Sequence, residues 1–301
     1  MTNSLVDFAP PHNRVPLESL AREGVFKPTL ATNKPSGLAA GIRWSRAAAD
    51  SLFSLLFPAF CRICEQPIEV ITAVPVCPDC LHAPRPYAGV ECAWCGRFLA
   101  TESGLHGTLH CGVCRRAMNG GASDRRDGFA FEQARSFGSY EGTLRALVQR
   151  FKYDGFRPLA KPLGRFLVQA AERLSEQSFD LAVPVPLHPK RQRQRGFNQA
   201  ELLVREFARW RKIPLGVKDC VRVRDTPPQT GLRAAERRRN VAGAFDVPRP
   251  ERVRGRRVLL IDDVLTTGAT ASACAEAIRK AGAKGVWVAT LARANPARVD
   301  V

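Results

Sequence analysis

From Val258 to Asp262 the chain runs apolar without alternation, the pattern of a strand buried on both faces. A short segment of small and hydroxyl residues follows. The stretch ASACAEAIRKAGAKG, from about Ala271, is then rich in helix formers, carries Arg279 and Lys280 in its last turn and stops at Gly282. Strand, turn and helix in that order predict a unit of α/β sheet. Upstream, 140–153 and 159–174 repeat apolar positions at helical spacing (Leu144, Leu147, Val148, Phe151; Leu163, Phe166, Leu167, Ala170) on either side of the breaker DGFRP. GFAFEQARSFGSY, before them, has the short apolar segments of a strand or hairpin. FDLAVPVPLHP, after them, reads as a strand that gives way to a loop at Pro184 and Pro186, with a helix over 200–212 beyond.

The first part of the chain is patterned differently. Residues 1–41 hold five prolines and little periodicity, and read as a flexible leader. At 42–58, IRWSRAAADSLFSLLFP is amphipathic at helical spacing, with Trp44, Ala48, Leu52, Leu55 and Leu56 on one side and Pro58 as its end. Packing onto the following domain fits this length better than a membrane-surface anchor does. From 59 to 120 large apolar residues are few, and the glycines and charges at 120–127 mark a boundary. A second domain is expected over 128–295.

At 301 residues, more than one folded unit is expected. No apolar run reaches the ~20 residues that span a bilayer, and no basic-then-apolar signal opens the chain, so a cytoplasmic location is expected. The formal charge is +18, and residues 187–257 hold 20 Lys and Arg against 7 Asp and Glu. Such a local excess calls for a polyanionic partner: a phosphorylated sugar, a nucleic acid or an acidic surface.

Eight of the ten cysteines stand in four C-x2-C pairs: Cys61 and Cys64, Cys77 and Cys80, Cys92 and Cys95, Cys111 and Cys114. Each pair can give two thiolates to one tetrahedral ion, and two pairs close a structural zinc site with no open position. Two zinc ions are therefore expected. Sequential pairing assigns Cys61, Cys64, Cys77 and Cys80 to one and the remaining four to the other, although spacing alone leaves interleaved pairing open. A disulfide framework is the competing interpretation, but a cytosolic chain keeps such thiols reduced. Zinc would also supply the stability that a segment so poor in apolar residues lacks. His82, His106 and His110 are not needed as ligands, since eight thiolates fill both sites.

The remaining chemistry sits where the strand at 258–262 ends. Asp262 and Asp263 are adjacent carboxylates at the carboxyl end of a strand, where α/β sheets bind ligands. Thr266, Thr267, Gly268, Ala269 and Thr270 offer hydroxyls and backbone N–H groups at a helix N-terminus, an arrangement suited to a phosphate. The carboxylates would accept hydrogen bonds from vicinal hydroxyls of a ribose and help hold a magnesium-bound diphosphate. VLLIDDVLTTGAT resembles the 5-phosphoribosyl 1-diphosphate (PRPP) motif of type I phosphoribosyltransferases. PVPLHPKRQRQRGFNQ and QTGLRAAERRRNVAGAF, together with this motif and the cysteine pairs, resemble the ComF family of phosphoribosyltransferase-like proteins associated with competence for DNA uptake.

The resemblance covers roughly 50–292. It implies an α/β, type I phosphoribosyltransferase fold, a mainly parallel sheet flanked by helices, preceded by a small double zinc ribbon. It implies that Asp262 and Asp263 are catalytic and that 266–270 grip the 5-phosphate of PRPP. Lys190, Arg191 and Arg195 would belong to a diphosphate loop, and Gln229, Arg238 and Asn240 to a mobile lid, with magnesium bound alongside PRPP. Relatives that act on oxopurines carry an acid where this chain has Thr266, whose hydroxyl is too weakly basic to replace it. Oxopurine salvage is therefore disfavoured and the acceptor stays open. The relatives are commonly dimeric, so a homodimer is a further expectation. The competing function is that of a single-stranded DNA-binding accessory protein using the zinc ribbons and the Arg-rich face. Aromatic residues in the basic region (Phe197, Phe207, Trp210, Phe245) look like core positions rather than base-stacking platforms.

Overall fold

The strands without polar alternation are covered on both sides. A computed structural model describes residues 59–68, 74–99, 109–119, 128–226 and 234–294. The expected leader over 1–41, the helix over 42–58 and Gln229 lie outside the described residues. In chain order, a hairpin of β1 (Ala59–Phe60) and β2 (Pro67–Ile68) is followed by helices α1 (Pro78–His82) and α2 (Gly112–Asn119). Then come β3 (Gln133–Ser139), α3 (Gly142–Tyr153), α4 (Ala160–Ala171) and β4 (Leu181–Pro184). After α5 (Pro189–Arg195) and α6 (Gln199–Arg211), the short strands β5 (Val221–Arg222) and β6 (Phe245–Asp246) pair around α7 (Ala234–Val241). The chain then runs through β7 (Arg257–Leu265), α8 (Ala269–Lys280) and β8 (Gly285–Arg293).

The main sheet has the order β3-β8-β7-β4, with every pairing parallel. Successive side chains of β7 enter different cores. Leu259 and Ile261 pack with α3, α4 and α6, whereas Val258 and Leu260 pack with α8 through Cys274, Ala275 and Ile278. Two helical layers thus enclose the sheet, which explains the continuous apolar pattern. β3 is a single parallel strand rather than a hairpin. Among the described residues no helix is long and apolar enough to cross a membrane.

The cysteine-rich segment borrows its core from this body. Ile68, Val76, Cys61 and Cys80 join the cluster that includes Leu163, Leu167 and Phe137, and Tyr87 N–H donates to Phe137 C=O at 2.7 Å beside β3. The second half docks with more polar contacts. Gln133 Nε2 and Arg135 Nη1 donate to Ala93 C=O, Ala134 N–H donates to Trp94 C=O, and Arg293 Nη1 donates to Cys95 C=O at 2.9 Å.

Candidate functional site

β7 outruns its neighbour. β4 pairs with it only from Leu181 to Pro184, opposite Val258 to Ile261, while β8 stays paired as far as Leu265. Beyond Ile261 one edge of β7 is therefore free of the sheet, and Asp262 and Asp263 lie there. This corrects the expected boundary: the strand runs on to Leu265, three residues past its expected end at Asp262, because β8 continues the hydrogen-bond ladder past the carboxylates. Helix α8 likewise begins at Ala269, two residues earlier than expected.

A cleft of about 1070 Å³ opens above this edge. Its walls come from α3 (Arg145, Gln149, Lys152, Tyr153), the segment after β4 (Val185, Pro186, Leu187), α5 and the start of α6. Six cations line it (Arg145, Lys152, Arg191, Arg195, Arg222, Arg237) against the three carboxylates of Asp154, Asp262 and Asp263. The excess suits an anionic ligand. Lys152 Nζ pairs with Asp263 at 3.0 Å. Burial opposes the charge on Lys152, but Asp263 and Asp262 hold its ammonium above the usual range. Burial, with the Asp263 charge beside it, pushes the Asp262 carboxyl up to about 7, against the pull of Lys152. Asp262 Oδ1 also accepts from Asp263 N–H at 2.8 Å.

Of the five predicted phosphate-turn residues, Thr266 and Thr270 line the cleft. Thr267 Oγ1 instead faces Ala269 N–H at 3.4 Å, and Gly268 and Ala269 are buried beneath. Gly268 has φ +81°, and a Cβ there would lie 2.7 Å from the Phe129 ring, so a side chain is excluded by both backbone and space.

The predicted diphosphate loop is mostly helix. His188 caps α5 by accepting from Lys190 N–H, Pro189 stands in its first turn and Gly196, at φ +78°, ends it. Arg191 and Arg195 reach the cleft, where Arg195 lies over the Tyr153 ring and donates to Gln199. Lys190 is drawn aside to Asp225, 3.7 Å away. Part of the segment expected as a lid is also helix: α7 covers 234–241, and Val241 is buried in the core it shares with α8. Arg237 lines the cleft, whereas Arg238 and Asn240 are not among its lining residues. The Asn240 carbonyl accepts from Arg224 at 3.1 Å.

Sequence reasoning missed Lys152, Arg145 and Arg222. Lys152 sits at the border of an apolar helix face, between Phe151 and Tyr153, and only the fold brings it to a carboxylate over a hundred residues away. Tyr140 and Tyr153 were also missed as ring-bearing residues of the cleft, and Tyr153 is 68 % exposed. The expected aromatics divide. Phe207 and Phe245 are core, Trp210 is exposed with Arg165 over its ring, and Phe197 is largely buried but lines the cleft.

The cysteines gather sequentially. Within each of the groups Cys61, Cys64, Cys77, Cys80 and Cys92, Cys95, Cys111, Cys114, all sulfurs lie within 4.8 Å of one another. Cys64 and Cys77 Sγ are 3.7 Å apart, as are Cys95 and Cys111 Sγ. Zn–S bonds of ~2.3 Å at tetrahedral angles place sulfurs about 3.8 Å apart, so both groups fit zinc. Their surroundings differ: the first leaves Cys64 exposed, and the second buries all four.

Residues 193–301 match the phosphoribosyl transferase domain family. The chain is 35 % identical to competence protein F of Haemophilus influenzae over 190 residues, 62 % of this chain and 79 % of that one. It is 31 % identical to the DNA utilization protein YhgH of Salmonella typhimurium over 243 residues, 79 % of this chain and 99 % of that one. With competence protein ComFC of Streptococcus pneumoniae it shares 31 % identity over 159 residues, 53 % of this chain and 67 % of the other.

Proposed function

The chain belongs to the ComF family, and we propose that its cleft binds PRPP or a closely related ribose phosphate with magnesium, and acts as a phosphoribosyltransferase-type site in the handling of DNA taken up by the cell. The observation that carries this reading is the pair Asp262 and Asp263 on the free edge of β7, set among six cations. A ribose phosphate needs both signs: carboxylates for its vicinal hydroxyls, and cations or N–H groups for its phosphates.

The roles then divide by position. Asp262 and Asp263 accept hydrogen bonds from the ribose hydroxyls. The N-terminus of α8, with Thr266 and Thr270, receives the 5-phosphate. Arg191 and Arg195 face the diphosphate, and Lys152 neutralises Asp263 until a ligand arrives. Adjacent carboxylates at a phosphate site fit magnesium, which keeps most of its waters and takes one or two carboxylates plus phosphate oxygens. When bound, it would offset charge on the departing diphosphate. The protein's own contribution is placement and a fixed electrostatic field around the ribose as positive charge develops on the ring. Thr266 supplies no base, so the acceptor must be nucleophilic without one from that position.

Thermal unfolding with magnesium and PRPP tests the reading. A ligand at 100 times its Kd stabilises the native state by about 2.7 kcal/mol. The shift is expected in the wild type and is lost in Asp262→Asn/Asp263→Asn; no shift in the wild type sinks the proposal.

A second reading, in which the basic face holds single-stranded DNA, is favoured by Tyr140 and Tyr153 at the cleft, each with an arginine over its ring. Exposed rings beside cations can stack bases while arginines meet phosphates. Tyr153→Ala should then weaken oligonucleotide binding, with a steep salt dependence in the wild type. Oligonucleotide binding that ignores both salt and Tyr153 would remove this reading.

A further inference from the structure

The second cysteine group and the phosphate turn share a neighbour. Phe129 packs against the cluster of Cys92, Cys95, Cys111 and Cys114, meets the Trp94 ring edge-on with centroids 5.9 Å apart, and stacks on Phe131 at 4.8 Å. Its opposite contact is Gly268, the residue at φ +81° that opens α8, whose absent Cβ leaves the room the ring needs. The next residue repeats the link by hydrogen bonding: Ala130 N–H donates to Ser272 Oγ, at 3.0 Å, in the first turn of α8. Trp94, between the ligands Cys92 and Cys95, carries the group's position onward: its Nε1 donates to Phe131 C=O at 2.8 Å and its carbonyl accepts from Ala134 N–H. A second connection runs through β8, whose last residue, Arg293, donates to Cys95 C=O and lies opposite Leu265, just before the turn.

We propose that Phe129 is a positioning residue through which metal in the second cysteine group holds the turn at 266–270 in its ligand-receiving form. Occupied, the group fixes Trp94 and hence the ring against which Gly268 closes. Emptied, it releases the wall behind the turn. Among the described residues the first group makes no such contact with the turn, so its metal is not expected to act there. The consequence for ligand affinity rests on the ribose phosphate reading above; the mechanical coupling does not, and by linkage a ligand held at the turn must tighten the second metal by the factor that the metal tightens the ligand.

The experiment is amide hydrogen exchange at 266–272 in the full chain carrying both metals, with zinc content measured on the same samples. Loss of the second metal in Cys111→Ser is expected to raise exchange at these amides by about tenfold, within the usual span of coupling between sites. Cys64→Ser, which disables the first group, leaves them unchanged. Phe129→Leu retains two zinc ions yet exchanges at the raised rate, and Cys111→Ser added to it raises the rate no further, a non-additivity that general destabilisation does not produce. Should Phe129→Leu lose zinc, the Cys111→Ser and Cys64→Ser pair decides. Unchanged exchange in Cys111→Ser, an equal rise in Cys64→Ser, or wild-type exchange in a zinc-replete Phe129→Leu overturns the proposal. None of these readouts needs a ligand, so failure of PRPP to bind is read separately, by the thermal shift.

Discussion

The two cysteine groups use one ligand set in two environments. The first sits at the margin of the core beneath α4, with Cys64 exposed and hydrogen bonds that run within the group, such as Cys77 N–H to Cys61 Sγ. The second is enclosed, pinned by Gln133, Arg135 and Arg293, and backed onto the turn before α8. Identical donor sets therefore say little about what a metal does for the rest of the fold. What decides it is what each group leans on: the first meets the main core through Cys61 and Cys80 and solvent through Cys64, whereas the second lies wholly enclosed against the sheet and the turn before α8.

The largest expected effect follows directly. Structural zinc contributes on the order of 10 kcal/mol in isolated fingers. Even a third of that, felt by a chain of this size, lowers the unfolding midpoint by roughly 5 °C. Calorimetry should show such a drop for Cys111→Ser and a much smaller one in the main transition for Cys64→Ser. Equal drops would erase the distinction between the groups.

Gly268→Ala sharpens the same contrast on a smaller scale. A methyl group at φ +81°, 2.7 Å from an aromatic ring, is expected to cost about 1–3 kcal/mol in urea unfolding. In a Phe129→Leu background the cost should shrink toward the backbone contribution alone, since the ring that meets the methyl is gone. An unchanged cost would separate Phe129 from the turn.

The smallest effect serves as a baseline away from both groups. Arg257 donates to Asp180 from its side chain and its N–H, and these bonds hold the Asp180 carboxyl at about 2. A carboxyl held below its unfolded value of about 3.9 adds stability above that value and loses it as pH falls toward 2. The pair is half-exposed and screened by solvent, so Asp180→Asn should cost under about 1 kcal/mol at pH 7, and nothing near pH 2. Urea midpoints at the two pH values check the sign.

How much of this was legible in the sequence depended on whether the signal was local. The buried strand at β7, the helix after it and the four cysteine pairs are local patterns, and the sheet and both groups follow them. The misread segments were also local, but their periodicity was hidden by charge. PKRQRQR has no apolar face and becomes helical because His188, Pro189 and Gly196 supply its two ends. Lys152 and Phe129 could not be found by pattern at all. Each owes its role to a partner more than a hundred residues away, Asp263 in one case and Gly268 in the other.

The order of the strands gives synthesis a timetable. β8 lies between β3 and β7, yet it is made after both, so the sheet has a gap at its centre until the last of its strands leaves the ribosome. At about 5–20 residues per second the second cysteine group waits some tens of seconds for Arg293 to arrive and close its inner side. Through that interval the Cys95 carbonyl lacks its donor, and the second group stands open on the side that the sheet later covers.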